Sequence, residues 1–435
     1  MDLNEELIHF LNTCPTAYHV VADIRDRLKE NGFTALSEHD AWNLEPGNSY
    51  VVTRSDSALI AFRLPKKKLT GFMIGASHAD SPALKIKPNP EMETDGLVRL
   101  NAEGYGGLIR YPWFDRPLSI AGRVCVREKN GIRTRLLHID RGVCIIPSLA
   151  IHMDRSVNTE GHVFSVQKEL QPVFRAADDP TTFQAMLAKE LGVKESDILA
   201  HDLFLSPHMP AALVGADQSF VSSPHLDDLQ CTFANMKGFL EAKSPKSTPV
   251  LAVFDNEEVG SSSLQGANGT FLEDTLDRIR ECLKMSDNAF LACCANSFML
   301  SMDNSHAAHP NYPEKADPTN RPRLNGGIVI KQAAPMTYLT DARSSALVQQ
   351  LCKKTDIPYQ FFTNHSDIRG GSTLAHYFCE HLSVLTADIG LAQLAMHSSF
   401  ETAGARDTAY MKNLTAAFYG AALKRTGDDL FSIQL

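Results

Sequence analysis

The chain has 435 residues, 43% hydrophobic and 21% charged, with 22 Pro and 26 Gly; such values are near the globular average and exclude collagen-like, coiled-coil and disordered classes. A mass of 47.9 kDa predicts roughly 16,000 Å² of exposed surface and about two or three domains. The 42 Lys+Arg and 51 Asp+Glu leave a net charge of −9; the basic residues are scattered rather than striped, which argues against nucleic acid as a partner.

In chain order, the acidic start Met1-Asp2-Leu3-Asn4-Glu5-Glu6 stands where a signal peptide would be basic. No apolar run reaches the roughly 18 residues of a membrane span, so a cytoplasmic protein without membrane contact is expected. Residues 5–32 predict a helix, with Val20, Val21, Ile24 and Leu28 on one face and Gly32 at a C-terminal cap. Lys66-Lys67-Lys68 reads as a solvated turn before a strand. Four later runs are short, apolar and end abruptly in polar residues: Phe72 to Ala76, Pro249 to Phe254, Phe298 to Met302 and Leu382 to Thr386. Runs of that kind suit strands buried on both faces. A helix is expected over 407–424, from Tyr410, Leu414, Ala417, Phe418 and Ala421.

Between residues 92 and 215 the pattern changes to short alternating stretches, such as Leu118 to Val126 and Ile132 to Ile139, with a polar region over 155–190. The expected organisation is an α/β catalytic domain formed by 1–91 and 216–435, interrupted by a β-rich insertion at 92–215. Nine Cys, with Cys293-Cys294 adjacent and no C-x-x-C, fit reduced thiols better than a disulfide framework or a zinc ribbon.

Ligands bind outside the carboxyl ends of strands in open α/β sheets. Three such ends carry hard oxygen and imidazole groups: His78-Ala79-Asp80, Asp255-Asn256-Glu257-Glu258 and Asp303-Asn304-Ser305-His306. His225-Leu226-Asp227-Asp228 and Met396-His397-Ser398 add two more segments. Such a set can hold two divalent cations bridged by one carboxylate. Of the adjacent pair Glu257-Glu258, one would ligate and the other move a proton, while Asp80 could fix the His78 tautomer. Each feature alone also has an ordinary structural explanation: Glu257-Glu258 as a solvated helix start, Asp227-Asp228 as a helix cap. There is no G-x-S-x-G, H-E-x-x-H, G-x-x-x-x-G-K-[ST] or complete G-x-G-x-x-G, and Gly104-Tyr105-Gly106-Gly107 reads as a loop.

At these residues the sequence resembles the M18 family of metalloaminopeptidases, the aspartyl aminopeptidase family. The shared blocks run in order from Phe10–His19 and Ser77–Pro82 through Ile151–Arg155, Ser223–Leu229, Asp255–Ser261, Asp303–Asn311 and Gly371–Thr373 to Met396–Ser398. The resemblance implies a zinc-peptidase-like mixed sheet flanked by helices, an inserted dimerisation domain, and a homo-oligomer, a dodecamer built from dimers. It implies two divalent ions per subunit, zinc foremost with cobalt or manganese able to serve. Asp227 would bridge them, His78 and Asp303 completing one shell and Glu258 and His397 the other, with Glu257 as general base. His152 would reach a neighbouring subunit's site, His306 would orient the scissile carbonyl, and Lys331 would hold an acidic side chain of a peptide substrate. Two positions depart from the family pattern, Asp228 where Asn is common and Arg369 before Gly371-Ser372-Thr373; both bear on the specificity pocket more than on the metal site. The implied activity is removal of N-terminal residues, Asp or Glu preferred. The alternatives are an aminopeptidase of broader or neutral specificity, a two-metal carboxypeptidase or deacylase, and a non-catalytic assembly protein on the same fold.

Overall fold

The computed structural model describes residues 2–66, 68–243 and 245–435, so the middle lysine of the 66–68 turn lies outside the described residues. Among the described residues the strands form a nine-stranded sheet, a closed six-stranded barrel, a five-stranded sheet and a two-stranded ribbon. The large sheet contains β1 (Thr34–Leu36), β2 (Ser49–Arg54), β3 (Ala58–Arg63), β4 (Phe72–His78), β5 (Thr248–Phe254), β6 (Phe298–Met302), β7 (Ile328–Lys331), β8 (Tyr359–Phe362) and β9 (Leu385–Gly390). Its order is β1-β2-β3-β5-β4-β6-β9-β7-β8. The central strands β5, β4, β6 and β9 are mutually parallel, so their carboxyl ends open along one edge. Antiparallel pairing of β3 with β5 and of β7 with β9 makes the sheet mixed.

Alternation along each central strand feeds two cores. Met73, Leu251, Val253, Phe298 and Leu300 face helices Leu3–Thr13, Ala17–Glu30, Leu226–Glu241, Ala342–Thr355 and Asp407–Gly420. Ile74, Ala76, Val250, Ala252 and Met299 face Phe271–Cys282, Asp287–Ala295 and Leu374–Phe378. Burial on both faces is why these strands read as unbroken apolar runs. The mixed sheet flanked by helices is the expected architecture.

Three local expectations are corrected. The first helix is two, Leu3–Thr13 and Ala17–Glu30, because Pro15 lacks an amide hydrogen and disfavours helical backbone before it. The run from Leu382 enters the sheet only at Leu385 and continues to Gly390; Asp388 does not end it, because Thr373 Oγ1 and Leu339 N donate to its buried carboxylate at 2.5 and 2.6 Å. The last helix stops at Gly420, and Ala422–Arg425 is a strand.

The barrel uses strands Ala83–Thr94, Leu97–Tyr105, Pro117–Glu128, Gly131–Ile145, Val173–Ala176 and Ile198–Pro207. Its core, with Leu84, Leu100, Ile120, Val124 and Leu203, also takes Phe183 and Leu187 from a covering helix. The strand Ala83–Thr94 runs across the expected boundary at residue 91. The chain exposes 19606 Å², about a fifth more than a compact monomer of this mass. No helix among the described residues is long and apolar enough to cross a membrane.

Gly75, in the middle of β4, shows how tightly the helical layer sits on the sheet. A Cβ there would collide with Tyr419 Oη and Asn235 Oδ1, which hold each other at 2.5 Å while Asn235 Nδ2 donates to the Gly75 carbonyl. Gly75→Ala is expected to cost about 1–3 kcal/mol through overpacking, read as a lower urea midpoint at unchanged m-value.

Candidate active site

Three ligand-bearing segments leave the carboxyl edge of the central strands: His78 ends β4, Glu257 and Glu258 lie in the turn after β5, and Asp303 follows β6. Asp227 and Asp228 come from the head of helix Leu226–Glu241, where their backbone is not helical. His397 lies between strands Ala392–Leu394 and Glu401–Gly404 of the five-stranded sheet. Side chains spread over more than three hundred residues thereby meet in one space.

The two imidazoles are aimed in the same manner. His78 Nδ1 lies 3.1 Å from the Asp80 carbonyl and 3.4 Å from its Oδ1, leaving Nε2 3.7 Å from Asp227 Oδ1. His397 Nδ1 lies 3.2 Å from the Gly107 carbonyl, leaving Nε2 3.6 Å from Asp227 Oδ2 and 3.3 Å from Glu258 Oε2. Each oxygen of Asp227 therefore faces a different imidazole nitrogen. Two ligands about 2.0–2.1 Å from a tetrahedral cation stand about 3.3 Å apart, close to these spacings. Ligand atoms of His78, Asp227, Asp228 and Asp303 lie within 4.8 Å of one another, as do those of Asp227, Glu258 and His397, and those of His78, Glu257 and Glu258.

The charges are out of balance without cations. Burial, then Asp227 and Glu257, hold the Glu258 carboxyl well above the usual range. Burial pushes Glu257 up to about 8, with Asp303, Asp80 and Asp227 adding to it against the pull of His78. Asp303 is pushed up to about 6 by burial against the opposing charge of Lys331, and Asp228 is also raised, by burial first. Burial works against the His78 imidazolium, yet Asp80, Asp228 and Glu257 together hold it protonated well above its ordinary range. Buried Asp227 Oδ1 and Asp228 Oδ1 have no hydrogen-bond partner among the described residues. Orphaned carboxylate oxygens, imidazole nitrogens with no other partner and surplus negative charge are what divalent cations would complete, so this donor set fits the metal the resemblance implies.

The remaining expected residues divide. Lys331 and His306 line the same cavity of about 310 Å³ as His78, Asp227, Glu257, Glu258, Asp303 and His397. Lys331 is not a solvated strand-end lysine: it is 2% exposed, with Nζ 2.8 Å from the Asn304 carbonyl and 3.4 Å from Asp303 Oδ2. His306 stands at the mouth, its ring 5.9 Å from Phe362. His152 is not brought to the cluster; it lies exposed on a segment where Leu149, Met153 and Val163 are 64%, 75% and 91% exposed. Asp80 reaches further than expected, accepting the backbone N–H of Glu257 and of Glu258, each at 3.1 Å.

Sequence reasoning gave Asp228 no role and missed Tyr105 and Glu401. Asp228 stands in the cluster, where its Oδ2 accepts the His78 backbone N–H at 3.2 Å. Tyr105, the last residue of a barrel strand and not a loop residue, donates its hydroxyl to Asp80 Oδ2 at 2.7 Å and accepts from Asn256 Nδ2 at 2.9 Å. Glu401, 2% exposed, lies beneath Asp227 and His397. Only the glycines around Tyr105 hinted at a close approach, and nothing in the pattern distinguished Glu401.

Imidazoles and carboxylates converging at the carboxyl ends of the parallel central strands are a donor set of the kind metal-dependent hydrolases use. The family model described as "Aminopeptidase I zinc metalloprotease (M18)" matches residues 10–419, and the chain belongs to that family of aminopeptidases, which remove N-terminal residues. It is 42% identical over 423 residues to a "Probable M18 family aminopeptidase 2" of Clostridium novyi (strain NT), covering 95% of this chain and 98% of the relative. Among solved structures it resembles Ape4 in a complex with Nbr1, with a TM-score of 0.93 at 35% identity over 96% of this chain and 85% of that one. It also resembles the S. cerevisiae mApe1 dodecamer, with a TM-score of 0.83 at 27% identity over 96% of each chain.

Tyr105→Phe keeps the ring and removes the hydroxyl from Asp80. Peptidase kcat is expected to fall by about 10-fold or more, the scale for losing an outer hydrogen bond at a metal site, with an unchanged far-ultraviolet circular dichroism spectrum.

Proposed function

We propose that this aminopeptidase works with two divalent cations, zinc foremost, and prefers peptides with an N-terminal Asp or Glu. The observation that carries the two-ion reading is Asp227, whose oxygens face His78 Nε2 at 3.7 Å and His397 Nε2 at 3.6 Å. His78, Asp227 and Asp303 would hold one ion and Asp227, Glu258 and His397 the other. When bound, such ions supply Lewis acidity that polarises the scissile carbonyl and acidifies water. Glu257, in the cavity and outside both of those sets, takes the proton of the attacking water and returns it to the leaving amine. Asp80 holds the Glu257-Glu258 turn by its two amides and so sets where that carboxylate stands. His306 donates toward the scissile carbonyl oxygen from the cavity mouth.

Lys331 is the cation available to an acidic side chain in the cavity, since a net charge of −9 repels acidic peptides at long range and leaves selectivity to a local charge. Its contact with Asp303 uses part of that charge, which is the observation favouring the second reading, a broader acceptance of neutral residues. A trough of about 1250 Å³ shares Gly371 and Ser372 with the cavity and accommodates the rest of the peptide.

Residues 92–215, with the barrel strand that enters at Ala83, form the inserted dimerisation domain between the catalytic parts 1–91 and 216–435, and the working unit is a dodecamer built from dimers, the solved mApe1 relative being a dodecamer. The exposed apolar side chains around His152 support an interface there, from which His152 enters a neighbouring subunit's site. The nine free cysteines suit a cytoplasmic location.

Glu257→Gln is expected to keep its metal while turnover falls about 100-fold or more; undiminished turnover on an N-terminal Asp peptide would refute the assignment. A chelator should abolish activity in the wild-type enzyme and Zn²⁺, Co²⁺ or Mn²⁺ restore it. Lys331→Met should lower kcat/KM for N-terminal Asp relative to N-terminal Leu by about 10-fold or more, as for a lost charged hydrogen bond. An unchanged ratio across a panel of N-terminal residues would favour the broader reading.

A further inference from the structure

Glu401 is a buried carboxylate outside the lining of the substrate cavity. Its Oε2 accepts the Asp227 backbone N–H at 3.0 Å, and its Oε1 accepts the His397 backbone N–H at 2.7 Å. Gln393 Nε2 is a third donor to the carboxylate, meeting Oε1 at 3.3 Å. One side chain thus grips the main chain of two residues proposed to ligate the same ion, which come from segments otherwise far apart in sequence. The grip continues beneath the site: Asn304 Nδ2 donates to Gln393 Oε1 at 2.5 Å and to the Leu226 carbonyl at 3.1 Å. Gln393 and Asn304 are 1% and 2% exposed, so water does not compete for these bonds.

We propose that Glu401 is a positioning residue that sets the separation of Asp227 from His397, and so tunes one of the two ion sites selectively. The inference rests on the two-ion reading. The selectivity follows from what holds the other ligands. His78 is oriented by the Asp80 carbonyl and carboxylate, and its backbone N–H is held by Asp228. The Asp303 backbone N–H donates to the Ile389 carbonyl across the sheet. Neither is bonded by Glu401, so of that ion's ligands only the shared Asp227 feels it, whereas the other ion has both Asp227 and His397 in its grip. A carboxylate is needed because both of its oxygens meet N–H donors; an amide at this position would satisfy one of them and turn its own N–H groups toward the other.

The test is metal binding rather than turnover. Apoprotein is titrated with Zn²⁺ against a chromophoric chelator, and with Co²⁺ followed by visible absorption, for wild type, Glu401→Gln and Glu401→Asp. Wild type is expected to take two ions. In Glu401→Gln one Kd should rise by about 10- to 100-fold, the usual scale for an outer-shell partner, while the other stays within about threefold, with the Co²⁺ spectrum of only one site altered. Glu401→Asp keeps the charge but is a methylene too short for both donors, and should fall between the two; it carries the same comparison if the Gln variant does not fold. Two unchanged Kd values, or two that rise together, would overturn the proposal while leaving the two-ion reading intact. A wild-type chain that takes fewer than two ions would overturn that reading and this inference with it.

Discussion

The surplus of negative charge around Asp227 is the constraint the rest of the molecule is built to sustain. Asp227, Asp228, Glu257, Glu258 and Asp303 share one cavity region with three imidazoles and Lys331. Like charges at such spacing in a poorly solvated site repel strongly, and removing one partner from a buried charged set leaves the others uncompensated. Only a rigid frame keeps them there, and the frame is the parallel edge of the sheet. β4, β5 and β6 are buried on both faces by separate cores, so their ends cannot splay to relieve the repulsion. The parts of the chain that look most ordinary, apolar strands under amphipathic helices, thereby hold the least comfortable residues in place.

Legibility followed from that division. A strand buried on both faces is written as an apolar run, and the residue after it stands out because it is polar; His78, Glu257, Glu258 and Asp303 were readable for this reason. Asp388 misled by the same rule, since two donors satisfy it inside the strand and hydropathy does not record donors brought from elsewhere in the chain. The break at Pro15 was present as a local signal and was outweighed by the periodicity on either side. Tyr105 could not be recognised, because its function depends on a hydroxyl meeting Asp80 across a domain junction. Glu401 was equally hidden: its partners are backbone amides, which carry no residue identity, so no side-chain pattern announces the contact. The individual ligand roles came from family resemblance rather than from spacing.

The barrel is part of the same chemistry, not an appendage to it. Tyr105 at the end of one of its strands bonds Asp80, and Gly107 just beyond fixes His397 through its carbonyl. A side chain at Gly107 would begin 3.3 Å from His397 Nδ1, tighter than ordinary contact, so it would press on the imidazole this carbonyl orients. Because Asp80 in turn holds the backbone of Glu257 and Glu258, a small shift of the barrel against the sheet would reach both imidazoles and both glutamates. Any association made through the exposed apolar segment near His152 acts on a domain already bonded to the site.

Lys331 brings these threads to one atom. Its ammonium is buried, bonded to the Asn304 carbonyl and paired with Asp303. An acidic substrate side chain entering the cavity would have to share that ammonium with a carboxylate placed to ligate an ion. Ligation of a cation by Asp303 would withdraw electron density from its carboxylate and weaken its hold on Lys331, so a loaded site would free more of the lysine's charge for substrate than an empty one. If the proposed two-ion, acid-preferring reading holds, metal occupancy and acidic selectivity would be coupled through a single 3.4 Å contact, and discrimination between acidic and neutral N-termini should be sharper in the enzyme with both ions than in one holding the ion at the Asp227, Glu258 and His397 position alone.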